Sequence, residues 1–332
     1  MINASNYMAN TSSNGSCSDI PLPHSDYFDL TKWIALTEMV GIICINLVVI
    51  VLLARQEKST RMAFFVQHLA VADLSVGVLY VLPECVFDRF LKNWEKYSCL
   101  ILYGFCANLT ILASTFLIVV LTIDRMFVIV WPLVASTRGL YYRYGLVSGA
   151  WGFALIFSLP YAYHVEFSCR QGEHLCRHNF GKAIYGVVIA EVVVNMFIPV
   201  CIITVSYVCI IWMIWRRERG FPGLKQRKDN DDHNQLDRIT CTQSGAISSA
   251  KTKTIKLLFV IVLVYIISWT PVNVAQVMNT FDLMKVGDGF AILHVLAPIN
   301  SLMNPLVFLV FNRQMFQRKR RGYVDWTMCD HI

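Results

Sequence analysis

The amino-acid sequence predicts an all-α membrane protein, a seven-transmembrane helix bundle with a short amphipathic helix after the seventh, on three observations. The first is composition: of 332 residues, 56% are hydrophobic and 15% charged, too apolar for a soluble domain of this size. The second is segmentation, with apolar stretches over about 33–54, 62–87, 99–130, 146–163, 183–215, 253–279 and 288–311. Trp33 to Ala54 spans 22 residues. At a rise of ~1.5 Å per residue such a helix reaches ~33 Å, enough for a hydrocarbon core of ~30 Å. Lipid offers no partners to backbone N–H and C=O groups, so each stretch must be a helix that satisfies its own. The third is charge: 21 of the 29 Lys and Arg lie in 55–61, 125–143, 216–256 and 313–321, and eight lie on the other side. Positive charge stays inside, which places the N-terminus outside and the C-terminus in the cytoplasm. The net +7 therefore reports membrane orientation and implies no nucleic-acid partner.

Residues 1–32 form the expected extracellular tail, with N-glycosylation sequons at Asn3, Asn10 and Asn14 that are usable only in the secretory lumen. No cleavable signal precedes the first helix, which is expected to act as an uncleaved anchor. Asn108 also opens a sequon but falls inside the third helix. Most of the eleven cysteines are scattered through the helices as small apolar residues. Cys99, Cys169 and Cys176 lie on the oxidising side. A Cys99–Cys176 bond would tie the loop before helix five over the bundle. Cys169 is the competing partner, and spacing alone does not choose; Cys17 is then unpaired or paired with Cys169. Within the 33–311 bundle, residues 216–250 form a third cytoplasmic loop without apolar periodicity, expected to be flexible. Ser248, Ser249, Thr252 and Thr254 beside Lys251 and Lys253 are kinase-site candidates there, against a plain basic anchor. In the 312–332 cytoplasmic tail, a basic helix with Phe311, Met315 and Phe316 on one face is expected to lie on the inner leaflet.

Ionisable groups inside a bilayer cost several kcal/mol, so each one points to function. Asp73 sits mid-helix, with Asn46, Ser114, Asn300, Ser301 and Asn304 as polar candidates in other helices. Together they form a cluster whose oxygens suit a small hard cation such as sodium; the alternative is a neutral, hydrogen-bonded Asp73. Asp124-Arg125 closes helix three, where flexible termini can pair and an Arg can swing free when helices part. Pro199, Pro271 and Pro305 each remove a backbone donor and make bending cheap. Trp269 stands two residues before Pro271.

Asn46, the L-A-V-A-D run ending at Asp73, Cys99, Asp124-Arg125-Met126, Trp151, Pro199 with Tyr207, Ser268-Trp269-Thr270-Pro271 and Asn304-Pro305-Leu306-Val307-Phe308 stand in helix order. The set resembles the class A (rhodopsin-like) G-protein-coupled receptors over about residues 33–320. The resemblance implies that Cys99 pairs with the second extracellular loop, here taken at Cys176. It implies that Asp73 holds an allosteric sodium ion with Ser114, Asn300 and Ser301. Arg125 would engage a heterotrimeric G protein and Trp269 would move on activation, with Asp124, Tyr207, Pro271, Asn304 and Pro305 completing the switch. Arrestin and receptor kinases are further partners of such a protein. Three departures stand out: Met126 and Phe308 replace tyrosines, and Cys99 to Arg125 is one residue longer than the family norm. The last leaves Cys106 and Ala107 both open at the usual pocket position.

Phe64–Asp73, Val81-Leu-Pro-Glu84, Ala113-Ser-Thr115, Ile247–Val262 and Gln276 narrow the resemblance to the vasopressin/oxytocin receptors. The implied function is a plasma-membrane neuropeptide receptor, with Gq-type coupling and calcium release. Asp88 and Gln276 match ligand contacts, while Glu84, Ala107 (or Cys106) and Tyr161 replace the family's pocket glutamines. Neither Cys106 nor Ala107 supplies the aspartate that amine receptors use. Glu84 and Asp88 are four apart and share a helix face; Glu191 and Glu38 add acid from helices five and one. Glu84, Asp88, Ala107, Glu191 and Gln276 are the expected ligand contacts, and this much acid favours a basic group on the ligand. The alternative pairs these acids with Arg89, Arg170, Arg177 or Lys182 in weak surface bridges. Crustacean-cardioactive-peptide-like and neuropeptide-S-like receptors share the helix-two and helix-three motifs. A transporter or channel would need a continuous polar path, and an enzyme a nucleophile–base or metal-ligand set. Neither pattern is in the sequence, and no cofactor beyond sodium is expected.

Overall fold

The computed structural model describes residues 27–56, 60–170, 172–219, 235–283 and 289–311. Asn3, Asn10, Asn14, Cys17 and the amphipathic segment after Phe311 lie outside the described residues. The seven long helices are α1 (Tyr27–Ala54), α2 (Arg61–Phe90), α3 (Lys96–Val130), α4 (Leu140–Tyr163), α5 (Gly181–Arg216), α6 (Gln235–Thr280) and α7 (Ile292–Phe311). All seven contain a window long and apolar enough to cross a membrane. Thr60 starts α2 by accepting the Ala63 N–H at 3.1 Å, one of the donors every helix start leaves open.

α3 is the axis of the bundle. Of its apolar window 67% is buried, against 22% for α4 and for α5, so those two turn most of their surface to lipid. Phe153, Ile156 and Leu159 on α4 and Val205, Val208 and Ile211 on α5 form that exposed apolar surface. Leu117, Ile118 and Leu121 of α3 meet Phe65, Ile203, Leu257, Tyr265 and Phe308 in the main core.

Two features differ from the sequence expectation. The segment 216–250, expected to be flexible, is partly helical: helical winding continues past α5 to Arg219, and α6 begins at Gln235. Once a long helix is nucleated, each further residue adds a hydrogen bond at little cost, so polar sequence can extend it without apolar periodicity. The all-α expectation also omitted a hairpin between α4 and α5, β1 (Val165–Arg170) with β2 (Glu173–His178), paired from Val165↔His178 to Arg170↔Glu173. Gly172 turns it at φ 80°, a conformation that glycine adopts without a Cβ penalty.

α2, α3 and α5 contain π-turns, at Gly77–Val81 and Glu84–Phe90, at Cys99–Cys106, and at Val193–Phe197. A π-turn takes up one extra residue within an α-helix. The surplus residue between Cys99 and Arg125 is absorbed there, and α-helical winding resumes at Ala107, which gives Ala107 rather than Cys106 the register set by Arg125.

Candidate functional site: three polar layers in one bundle

Polar side chains concentrate in three layers along the bundle. At the Arg125 end, Asp124 is fully buried (0% exposed) and shared by two arginines. Arg125 donates to Oδ2 at 2.8 Å. Arg61, at the start of α2, donates to Oδ1 through Nε at 2.8 Å and Nη2 at 2.5 Å, and its Nη1 reaches the Ala135 carbonyl at 2.7 Å. Ala135 belongs to a short helix, Pro132–Thr137, after α3, so Arg61 ties that helix to the Asp124 carboxylate. The sequence reading missed Arg61. The available signal was that a buried carboxylate has room for more donors than one neighbouring arginine supplies.

The middle layer gathers the predicted cation residues. Ser114 donates to Asp73 Oδ1 at 2.5 Å and the Asn304 amide to Oδ2 at 3.0 Å, with Ser301 a further hydrogen-bond donor to the carboxylate. The amide oxygens of Asn46, Asn300 and Asn304 are buried and lack donors. This set of hard oxygens fits a small cation. A cavity above it reaches Tyr80, Ile111 and Trp269.

Two prolines organise the same region. Pro305 has no N–H for the carbonyl four residues earlier, Ser301, and Asn46 of α1 donates to that oxygen at 3.1 Å. Pro199 likewise frees the Asn195 carbonyl, which receives the Tyr265 hydroxyl of α6, while Thr115 of α3 donates to Asn195 Oδ1 at 3.1 Å. A freed carbonyl in lipid needs such a replacement. The Thr115–Asn195–Tyr265 link was not read from the sequence. Trp269 is 9% exposed, one turn from Tyr265 and two residues before Pro271, which lies inside α6. Tyr207 donates to the Ile255 carbonyl at 3.4 Å, and Phe308 is packed in the core at 1% exposure.

At the hairpin end, Cys99 and Cys176 form the disulfide that roofs the bundle, with Cα atoms 5.6 Å apart. Cys169 is disulfide-bonded too, so it is not a partner for Cys99. Trp94 packs on that bridge, and its backbone N–H donates to the His174 carbonyl at 2.9 Å. Gly104 faces β1 so closely that a Cβ there would lie 3.0 Å from Val165. His178 of β2 stacks on Tyr103 at 4.8 Å and meets Tyr161 and Phe180. Burial in this aromatic cage pushes its imidazole down to about 4.

The five expected ligand contacts are not brought together as one set. Glu191 of α5 accepts the Gln276 amide of α6 at 2.8 Å, and the Tyr161 hydroxyl hydrogen-bonds the same carboxylate. Glu84 is engaged by Arg89 at 2.8 Å, whose other arm reaches Thr31 at 2.8 Å; this is the internal pairing weighed against a ligand contact. Asp88 lies beside the Trp94 indole. Ala107 is packed among Ile42, Val76, Tyr80 and Val81, facing α1 and α2 rather than Glu191.

A membrane bundle with this buried Asp–Arg pair, central polar cluster and roofed cleft has the layout of a signalling receptor, and comparison with known proteins agrees. Residues 45–308 match the 7 transmembrane receptor (rhodopsin family). The chain is 30% identical over 289 residues to the mesotocin receptor of Rhinella marina, covering 84% of this chain and 72% of that one. It is 30% identical over 282 residues to cephalotocin receptor 2 of Octopus vulgaris (80% and 65%) and over 290 residues to the isotocin receptor of Catostomus commersonii (81% and 70%). The chain belongs to the rhodopsin family of seven-transmembrane receptors. Its relatives are G-protein-coupled receptors rather than enzymes.

Proposed function

We propose that this receptor sits in the plasma membrane with its N-terminus and hairpin outside, binds a neuropeptide of the vasopressin/oxytocin kind, and signals through a Gq-type G protein. The observation that carries the ligand class is the set of relatives, whose names specify mesotocin, cephalotocin, isotocin and oxytocin. The roofed cleft supports it: Glu191 is held by Gln276 and Tyr161 from α6 and α4, so one carboxylate is presented among three helices to a donor on the peptide. Ligand binding would shift a pre-existing equilibrium by its differential affinity for the two states. Asp73 with Ser114, Asn300 and Ser301 would hold sodium in the inactive state. Arrestin and receptor kinases would act on the cytoplasmic face. The test is a screen of cells expressing the chain against mesotocin, isotocin, oxytocin, cephalotocin and a wider neuropeptide set, with calcium and cAMP readouts. A calcium response to one of the four supports the reading. Responses confined to unrelated peptides, or a cAMP response alone, overturn the ligand class or the coupling.

A further inference from the structure

The hairpin half of the bundle holds a second buried carboxylate, apart from Glu191. Glu38 of α1 is 6% exposed, and neither of its carboxylate oxygens has a hydrogen-bond partner. Such a group is uncompensated in either form: ionised, it has lost water without gaining a donor, and protonated, its O–H has no acceptor. Its surroundings are charged but directed elsewhere. Glu84 and Arg89 of α2 lie within electrostatic range of it, yet two nitrogens of Arg89 serve Glu84 and Thr31. Lys32, six residues earlier on α1, is held over the Phe90 ring at 4.2 Å. Cys85 of α2 and Val295 of α7 close the apolar wall beside Ala35. Two carboxylates therefore share one engaged guanidinium. Arg89 Nε is itself buried without an acceptor and still does not meet Glu38, so no cationic N–H reaches this carboxylate.

We propose that Glu38 is the acceptor of a cation subsite between α1, α2 and α7, filled by an ammonium or guanidinium group of the ligand. The proposal rests on the reading of the chain as a receptor for an extracellular peptide. A charge-assisted hydrogen bond formed there gains from the low local dielectric and relieves a group that nothing else in the bundle satisfies. Glu84 is a positioning residue in this scheme: by holding Arg89, it keeps that guanidinium from filling the subsite.

Small cations test the subsite without any peptide. Thermal unfolding of the detergent-solubilised full chain is followed with methylguanidinium or methylammonium chloride at 100 mM. The reference is equal tetramethylammonium chloride, which carries the charge without an N–H. The wild-type midpoint is expected to rise by ~3 °C, as for a probe at about ten times its dissociation constant. Glu38→Gln should unfold at a higher temperature than wild type without probe and show no probe effect; Glu38→Ala should also show none. Glu84→Gln, which releases Arg89 toward Glu38, should blunt the effect. Equal probe shifts in wild type and Glu38→Gln would overturn the proposal. So would a lowered midpoint in probe-free Glu38→Gln, which makes Glu38 a structural partner. A Glu38-dependent rise with sodium chloride alone overturns it as well, marking a metal-ion site. Because no peptide enters the assay, a failed peptide screen and a failed subsite are separate results.

Discussion

Asp124 and Glu38 are both buried carboxylates, one at each end of the bundle, and their environments are opposite. Asp124 is saturated: Arg61 takes one oxygen and Arg125 the other. Glu38 has no donor on either oxygen. The Arg61 arm is anchored twice, since it also binds the Ala135 carbonyl, whereas Arg125 touches Asp124 through one nitrogen. The Arg125 end closes its charges internally, and on the function proposed above one arm is releasable. The hairpin half keeps an acceptor open, which costs stability and on the proposal above serves recognition.

The largest expected effect is on signalling. Arg125→Ala should lower G-protein nucleotide exchange in membranes by ~100-fold or more, because a desolvated charge contact is worth ~2–5 kcal/mol. Exchange equal to wild type at matched surface level would break the assignment of that end.

Next comes the roof. Cys99→Ser should cost ~4 kcal/mol, the closure entropy of the loop it ties, read as lost surface expression and a lower unfolding midpoint. An unchanged midpoint would mean that the aromatic cage alone holds the hairpin.

The comparison itself is tested by neutralising the saturated acid. Asp124→Asn leaves two arginines beside a neutral amide and should destabilise the chain by ~3 kcal/mol, while raising ligand-independent exchange as Arg125 is freed. Glu38→Gln is expected to act in the opposite direction on stability. If both substitutions change stability with the same sign, the contrast between the two ends fails.

His178 supplies a pH test. Its folded pKa, near 4, lies below the ordinary ~6.5 of an unfolded histidine. The unfolded chain therefore binds the extra proton between those values. Stability is fully present above pH ~6.5 and falls by ~2–3 kcal/mol as pH drops toward 4. Unfolding midpoints measured from pH 7.5 to 5 should fall more steeply for wild type than for His178→Phe.

The smallest effect is Tyr265→Phe, which strands the Asn195 carbonyl inside the bundle and should cost ~1–2 kcal/mol. A neutral result would show that another donor reaches that oxygen.

The spans were legible because bilayer thickness fixes their length and lipid forbids unpaired backbone. Asp73 with Ser114 and Asn304 was legible because polar residues are rare in apolar runs. The hairpin was not, since its strands are short and carry charged residues in a loop of mixed polarity. Arg61 reads as one more basic residue near a helix start, and its partner lies 63 positions away. Glu84 shows the same limit in reverse: the cluster of acids was visible, but the arginine five residues on that neutralises it depends on the local winding of α2. The extra residue above Ala107 was visible as a count, but its absorption in a π-turn depends on how the outer end of α3 winds.

The two prolines with borrowed donors have a consequence for inheritance. Pro305 and Asn46, like Pro199 and Tyr265, each behave as one unit split between two helices. Replacing Pro305 by alanine restores an N–H to the Ser301 carbonyl, which then no longer needs the Asn46 amide. Replacing Asn46 alone by leucine strands that carbonyl inside the bundle. Replacing both should cost less than replacing Asn46 alone, since the Ser301 carbonyl is then satisfied within its own helix. The proline can then be lost alone, but its polar partner cannot be lost while the proline remains, so a proline in one helix constrains a side chain in another.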